Sequence, residues 1–328
     1  MLEPAANRRQ LRAAAALLTL LVVAATLGAA AWPASPEQTL DPAEAALAPP
    51  GARFATLELA DGRLLAARSI VREATGYRLR NRHGESFVAA DAAAPGAAVE
   101  TRRFWLGSDR FGRDVAARLL HGARLSLWVA AASMALALGF GVPLGLAAGL
   151  ARGAAARALL ALIEAAQAFP RLFLIVALAA LAPPRTATTV AILAATGWMP
   201  VARLVRAEAR RLSSAEFVLA ARGLGLPPWR VAFVHVLPNA LAPVVVEASL
   251  GMAGAIASEA ALSFLGLGVP PPAASWGNLI ADGRDLLRDA AWIALAPAGA
   301  LALTVLACNL LAEGLRDRFD PRRTPLPS

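Results

Sequence analysis

Five polar residues lie in stretches that are otherwise apolar. Glu164, Gln167 and Arg171 share one such stretch, and Glu247 and Glu259 lie twelve residues apart in another. Polar and charged side chains at membrane depth are costly and are kept where they face a water-filled path, a relay or one another. Spacings of three and four put Glu164, Gln167 and Arg171 on one helical face. That face fits the lining of a translocation path. It fits equally a buried ion pair, or an arginine snorkelling toward a membrane edge. Ion coupling through Glu164, Glu247 and Glu259 is a third chemistry. Intramembrane enzyme chemistry finds less support, because His83, His121 and His235 fall outside the apolar stretches or at their ends. No second ligand accompanies His235, so a structural role is expected for it. The single cysteine, Cys308, excludes a disulfide framework or a cysteine metal cluster within the chain. No catalytic residue, metal site or cofactor is expected. A phosphate-binding Gly-x-x-x-x-Gly-Lys-Ser/Thr loop is ruled out, since the chain has no lysine at all.

The elements that would position these residues are membrane spans. The 328 residues are 58% hydrophobic, with a mean hydropathy of +0.55. The apolar residues are collected: Ala13–Ala31, Leu125–Ala151 and Ala290–Ala312 hold no charge. About 20 apolar residues cross a bilayer as a helix. Six spans are predicted: residues 13–31, 125–150, 158–181 kinked at Pro170, 186–204, 240–262 and 292–312. A cleaved signal peptide is the rival reading of the first. Gly141, Gly145 and Gly149, four apart, predict a closely packed face on the second. The net charge of +9, carried entirely by arginine, is assigned to orientation and not to nucleic acid. Arg152 and Arg157, then Arg203, Arg206, Arg210 and Arg211, mark the cytoplasmic side and place both termini there.

Residues 33–104 differ. After a Pro- and Ala-rich linker, Phe54–Leu59, Arg63–Ile70, Tyr77–Asn81 and Ser86–Ala89 read as strands of a small meander. Asp61-Gly62, Thr75-Gly76 and His83-Gly84 supply the turns. The seven arginines from Arg53 to Arg82 read as a solvated face or a docking patch. Further on, Ser108 or Asp109 is expected to cap a surface helix over Val115–Leu120, with Asp109, Arg113 and Asp114 as an ion-pair knot. Asp282, Arg284, Asp285, Arg288 and Asp289 read as a local salt-bridge set.

Between the fourth and fifth predicted spans lies a polar interruption, residues 208–238. Ala215–Arg222 reads as a helix whose small Ala220 and Ala221 offer a flat face to another protein. Gly225 can take a positive φ and end it, and Pro227-Pro228 suit the first turn of the next helix. Trp229 and Phe233, four apart, form apolar anchors, and Leu237-Pro238 close the loop.

The ordered set Ala220, Ala221, Gly225, His235, Leu237 and Pro238 resembles the signature loop of ATP-binding-cassette importer permeases. That pattern reads Glu-Ala-Ala, three residues, Gly, nine residues, Ile, one residue, Leu-Pro. Leu219 stands in place of the Glu and His235 in place of the Ile, and His-Val-Leu-Pro-Asn (235–239) is similar to the peptide-import branch. Leu-Gly-Ser-Asp (106–109), Gly112-Arg113-Asp114, residues 259–268 and Ser275-Trp-Gly-Asn extend the resemblance to the dipeptide, oligopeptide and nickel permeases, over roughly Phe104–Arg322. Ser108 there replaces a Thr.

The resemblance implies an all-α polytopic membrane protein of type I importer architecture, with six transmembrane helices and an extracytoplasmic β-rich insertion after the first. It implies a cytoplasmic start with the first helix over residues 1–32, the insertion over 33–104, a permease core over 105–315 and a cytoplasmic tail over 316–328. Its partners would be a homologous second permease, two ATPase subunits, an extracytoplasmic substrate-binding protein and membrane lipid. ATP hydrolysis would belong to the ATPase subunits, coupled through residues 215–238 to alternating access. Peptides are the expected substrate, with nickel or another small solute as the alternative.

Overall fold

The computed structural model describes residues 3–81 and 84–319. Arg82, His83 and the tail from residue 320, on which parts of the expected turn, arginine patch and cytoplasmic tail fall, lie outside the described residues. The main helices are α1 (Glu3–Val23), continued by a π-helical turn (Ala24–Gly28) to Ala31, α2 (Val115–Leu150), α3 (Gly153–Gln167), α4 (Arg171–Leu181), α5 (Thr186–Leu212), α6 (Glu216–Gly223), α7 (Leu237–Phe264), α8 (Trp276–Gly283) and α9 (Trp292–Phe319). Among the described residues five helical segments are long and apolar enough to cross a membrane. A sixth crossing is reached only if α3 and α4 count as one broken span.

That break corrects the expected third span. Pro170 supplies no N–H and pushes the residue before it out of helical conformation. Helix α3 therefore ends at Gln167, and α4 leaves at 78° to it. A second correction concerns Val115–Leu120, which forms the first turns of the 36-residue α2 and not a separate surface helix. A third concerns Leu237-Pro238. The chain does not end a helix there but runs helically from Pro228 to Phe264 through a π turn at Val231–Val236. The wider turn accommodates the missing N–H of Pro238 at the start of α7.

The described chain divides into two units. One comprises Met1–Val22, Ser126–Pro270 and Leu301–Ser328. Its spine is the contact of α2 with α5. A Cβ on Gly141, Gly145 or Gly149 would come within 2.8, 2.6 or 2.6 Å of α5 atoms, the backbone oxygens of Trp198 and Ala202 among them. Bare glycine backbone is what lets these two helices touch. Beyond that seam, Val201, Val205, Ala209 and Leu212 of α5 continue into a core with Val218, Ala221, Val231, Val236 and Ala240.

The other unit comprises Val23–Leu125 and Pro271–Ala300. Six strands, β1 (Arg53–Glu58), β2 (Leu64–Ala67), β3 (Ser69–Glu73), β4 (Gly76–Asn81), β5 (Gly84–Ala89) and β6 (Glu100–Arg103), form two antiparallel sheets ordered β2-β1-β6 and β3-β4-β5. The single strand expected over Arg63–Ile70 is divided at Arg68 into β2 and β3, which belong to different sheets. Leu57, Ala67, Tyr77, Leu79 and Ala93 form the core beneath them. Phe54 and Phe104 meet edge to face at 5.8 Å.

The same unit holds a buried ion network. Asp109 Oδ2 accepts from Arg113 Nε and from Arg118 Nη1, both at 2.7 Å, and Arg118 Nη1 also reaches Asp282 Oδ2 at 3.0 Å. Asp114, expected in this knot, caps α2 instead. Its carboxylate accepts from Ala116 N (2.8 Å) and from the Trp32 indole N–H (3.0 Å). Burial pushes the Asp114 carboxyl above the ordinary aspartate range, against the lowering effect of those hydrogen bonds. Asp282 is drawn away from the local set expected for residues 282–289, of which Arg284 and Asp285 pair at 3.3 Å.

Candidate functional site

The interruption at 208–238 is built on α5. Val218 and Ala221 of α6, with Val231 and Val236 of the π segment, pack onto Val205, Ala209 and Leu212. Helix α6 ends where the Gly225 N–H bonds Arg222 O (3.0 Å) and the Leu226 N–H bonds Ala221 O (3.2 Å), with Gly225 at φ +74°. This anchoring turns the opposite side outward. Phe217, Leu219, Leu224, Trp229, Phe233 and Val234 are all exposed. Leu224 is 82% exposed. The Arg230 guanidinium lies 5.3 Å from the Trp229 ring centre. Ala220 and Pro238 are exposed and His235 is half-buried, whereas Ala221 belongs to the buried side. Of the adjacent pair of alanines, one packs inward and one faces out. Asn239 Nδ2 donates to His235 O at 2.7 Å, so the loop's histidine is tied by its backbone at the entry to α7. Six exposed large apolar side chains in one loop exceed what scattered surface hydrophobics require. Leu224 was missed by motif reasoning, because its position is variable in the pattern. Its place one residue before a turn glycine was the available signal.

The membrane-depth residues are distributed differently. Arg171, at the start of α4, and Glu247, on α7, line one cavity of about 260 Å³. Its walls also include Ser133 and Met134 of α2, Gly197 and Pro200 of α5, and Gly251 of α7. Gln167 is outside it and donates to Met199 O at 3.2 Å. Glu164 is exposed on α3. Because α3 and α4 diverge, Glu164, Gln167 and Arg171 do not share one helical face as their spacing suggested.

Glu259 does not line that cavity. It is 0% exposed and accepts hydrogen bonds from Ser126 Oγ and Ser263 Oγ, each at 2.7 Å. Ser263 Oγ in turn accepts from Val269 N at 3.1 Å. The carboxylate thus fixes the turn that follows α7. Replacing Ser263 with alanine is expected to remove the hydroxyl acceptor that the Val269 amide uses in this turn. The amide's hydrogen exchange should accelerate by about tenfold, matching the loss of roughly 1–1.5 kcal/mol for such a bond. Unchanged protection at Val269 would show that the turn is held by other means.

The carboxy-terminal half of the chain decides the relationship. Residues 141–325 match the model of the binding-protein-dependent transport system inner membrane component family. The chain belongs to this family. Among curated relatives of this permease, the di/tripeptide transport system permease protein DppC of Pseudomonas aeruginosa is 41% identical over 220 residues, 67% of this chain and 73% of that protein. A putative peptide permease of Brucella ovis is 41% identical over 222 residues, 67% and 74% of the two chains. The dipeptide permease DppC of Alkalihalophilus pseudofirmus is 38% identical over 218 residues, 66% and 72%. The solved MetNI methionine ABC transporter in inward-facing form aligns with a TM-score of 0.48 at 16% identity, over 60% of this chain and 96% of that one, too loose a likeness to add to the sequence relationship. With its apolar helices, this family member is a multi-pass inner-membrane transport component.

Proposed function

We propose that the chain is a permease subunit of an ATP-driven peptide importer, coupled to its ATPases through residues 215–238. The observation that carries the coupling is the exposed apolar surface of Phe217, Leu219, Leu224, Trp229, Phe233 and Val234, held on the buried Val218, Ala221, Val231 and Val236. Such a surface lowers its free energy by entering a groove of another protein. The peptide assignment is supported by the relatives, named as peptide, dipeptide and di/tripeptide permeases.

In this reading the partners are a second homologous permease, two ATPase subunits and an extracytoplasmic binding protein. Both termini and residues 208–238 face the cytoplasm, and residues 33–104 lie outside. ATP is hydrolysed by the ATPase subunits. Their closure drives alternating access by favouring one arrangement of the helices through differential contacts with the loop. Leu219, where the family pattern has Glu, adds apolar area to the docking face and removes an anchor for loop donors.

The test is co-purification with candidate ATPase subunits from the same organism, using wild type and the double variant Leu224→Ser/Trp229→Ser. Both side chains are exposed, so the variant keeps its fold. Loss of two apolar anchors should weaken association about thirtyfold or more. Wild-type protein that retains no ATPase, or a double variant that retains as much as wild type, would overturn the coupling assignment.

A further inference from the structure

The cavity of Arg171 and Glu247 has the form of a ligand site. It lies within one unit of the chain, among α2, α4, α5 and α7, and has a volume of about 260 Å³. That is below the usual range for drug-sized ligands and suits something the size of a very short peptide. Its two charges are opposite in sign. Glu247 feels the positive charge of Arg203 first and that of Arg171 second, and Arg171 in turn feels Glu247. Yet among the described residues no ion pair joins Arg171 to Glu247, and the buried Nε of Arg171 has no hydrogen-bond partner.

The guanidinium stands between two bare stretches of backbone. A Cβ on Gly197 of α5 would lie 3.7 Å from Nη2, and one on Gly254 of α7 would lie 3.7 Å from Nη1. Glycine at both positions leaves no Cβ against either Nη of the fork. An arginine with a buried, unpaired N–H at membrane depth favours an anion, and its fork matches a carboxylate in bidentate fashion. A glutamate on the same wall favours a cation.

Resting on the importer reading above, we infer that this cavity is a zwitterion subsite in the permease itself: Arg171 takes the free carboxylate of a short peptide and Glu247 takes its free ammonium group. The permease then contributes to substrate choice, rejecting peptides blocked at either end. A blocked terminus leaves one of the two charges desolvated without a partner, and that penalty provides the discrimination.

The experiment is titration of the purified full chain in detergent, followed by ligand-observed NMR. The probes are Ala-Ala, N-acetyl-Ala-Ala, Ala-Ala-amide and free alanine. Wild type should bind Ala-Ala at least about tenfold more tightly than either capped form, the factor expected for one charge-assisted contact. Arg171→Gln should lose the discrimination against the amide and keep that against the acetyl form, and Glu247→Gln should do the reverse. Equal binding of free and capped dipeptides by wild type overturns the proposal, whatever the variants do. Full discrimination against the amide in a folded Arg171→Gln protein also overturns it. Free alanine binding as tightly as Ala-Ala would overturn the peptide assignment in favour of amino acids. No ATPase or binding protein takes part, so failure here is distinct from failure of the co-purification.

Discussion

Replacing Asp109 with alanine is expected to lower the thermal midpoint of the detergent-solubilised protein by about 10 °C. Asp109 is 1% exposed and Arg118 is 2% exposed. The aspartate serves both arginines of the network and also accepts from Phe111 N (2.8 Å) and Arg113 N (3.0 Å). With it gone, the carboxylate left to Arg113 and Arg118 among the described residues is Asp282, at 3.5 and 3.0 Å. Removing one partner from a buried charge set costs about 3–5 kcal/mol, because the remaining charges stay desolvated. The contrast is Asp285→Ala. Its pair with Arg284 is 81% and 57% exposed on the two sides, and surface pairs of this kind contribute little. A midpoint for Asp109→Ala within a degree or two of that control would mean that the network is wetter than its burial shows.

Gly145→Val is expected to destabilise by about 3 kcal/mol and to loosen the loop at 208–238. The added Cβ would sit 2.6 Å from Ala202 O and 2.7 Å from Val205 Cβ, and backbone cannot yield as a flexible side chain can. Val205 also supports Val218 and Ala221 of the loop. Forcing α5 away from α2 therefore disturbs the seat of the exposed apolar surface. Limited trypsin digestion should show faster cleavage at Arg222 and Arg230 than in wild type. Gly139→Val is the control on the same helix, since nothing lies within 4 Å of a Cβ there. Equal digestion of the two variants would contradict the seam.

The glycine seam was readable because a four-residue repeat returns to the same side of a helix whatever surrounds it. The turn at Gly225 was readable for a similar reason, since the φ it adopts is set locally. Pro170 announced an interruption, but a kink and a 78° break have the same local signature, and the contacts that hold α4 beside α5 and α7 are tertiary. Glu247 and Glu259 looked alike in sequence. Twelve residues advance a helix by about 120° beyond whole turns, so the two carboxylates leave α7 in different directions, one into the cavity and one into the serine knot. Asp282 lies 164 residues from Arg118, and no local pattern joins them. Strand β6, Glu-Thr-Arg-Arg, carries no apolar alternation, and its pairing with β1 is tertiary.

The break at Pro170 bears on how the chain enters the membrane. At 1.5 Å per residue, the 15 residues of α3 extend about 22 Å and the 11 of α4 about 16 Å. Neither reaches across the roughly 30 Å hydrocarbon core, and helix ends facing one another at the break leave backbone polar groups that lipid cannot satisfy. Neither half can therefore leave the insertion machinery as a finished crossing. Integration of this part of the chain is expected to be concerted, with the half-length helices held until α5, against which α4 and Gln167 rest, has been synthesised.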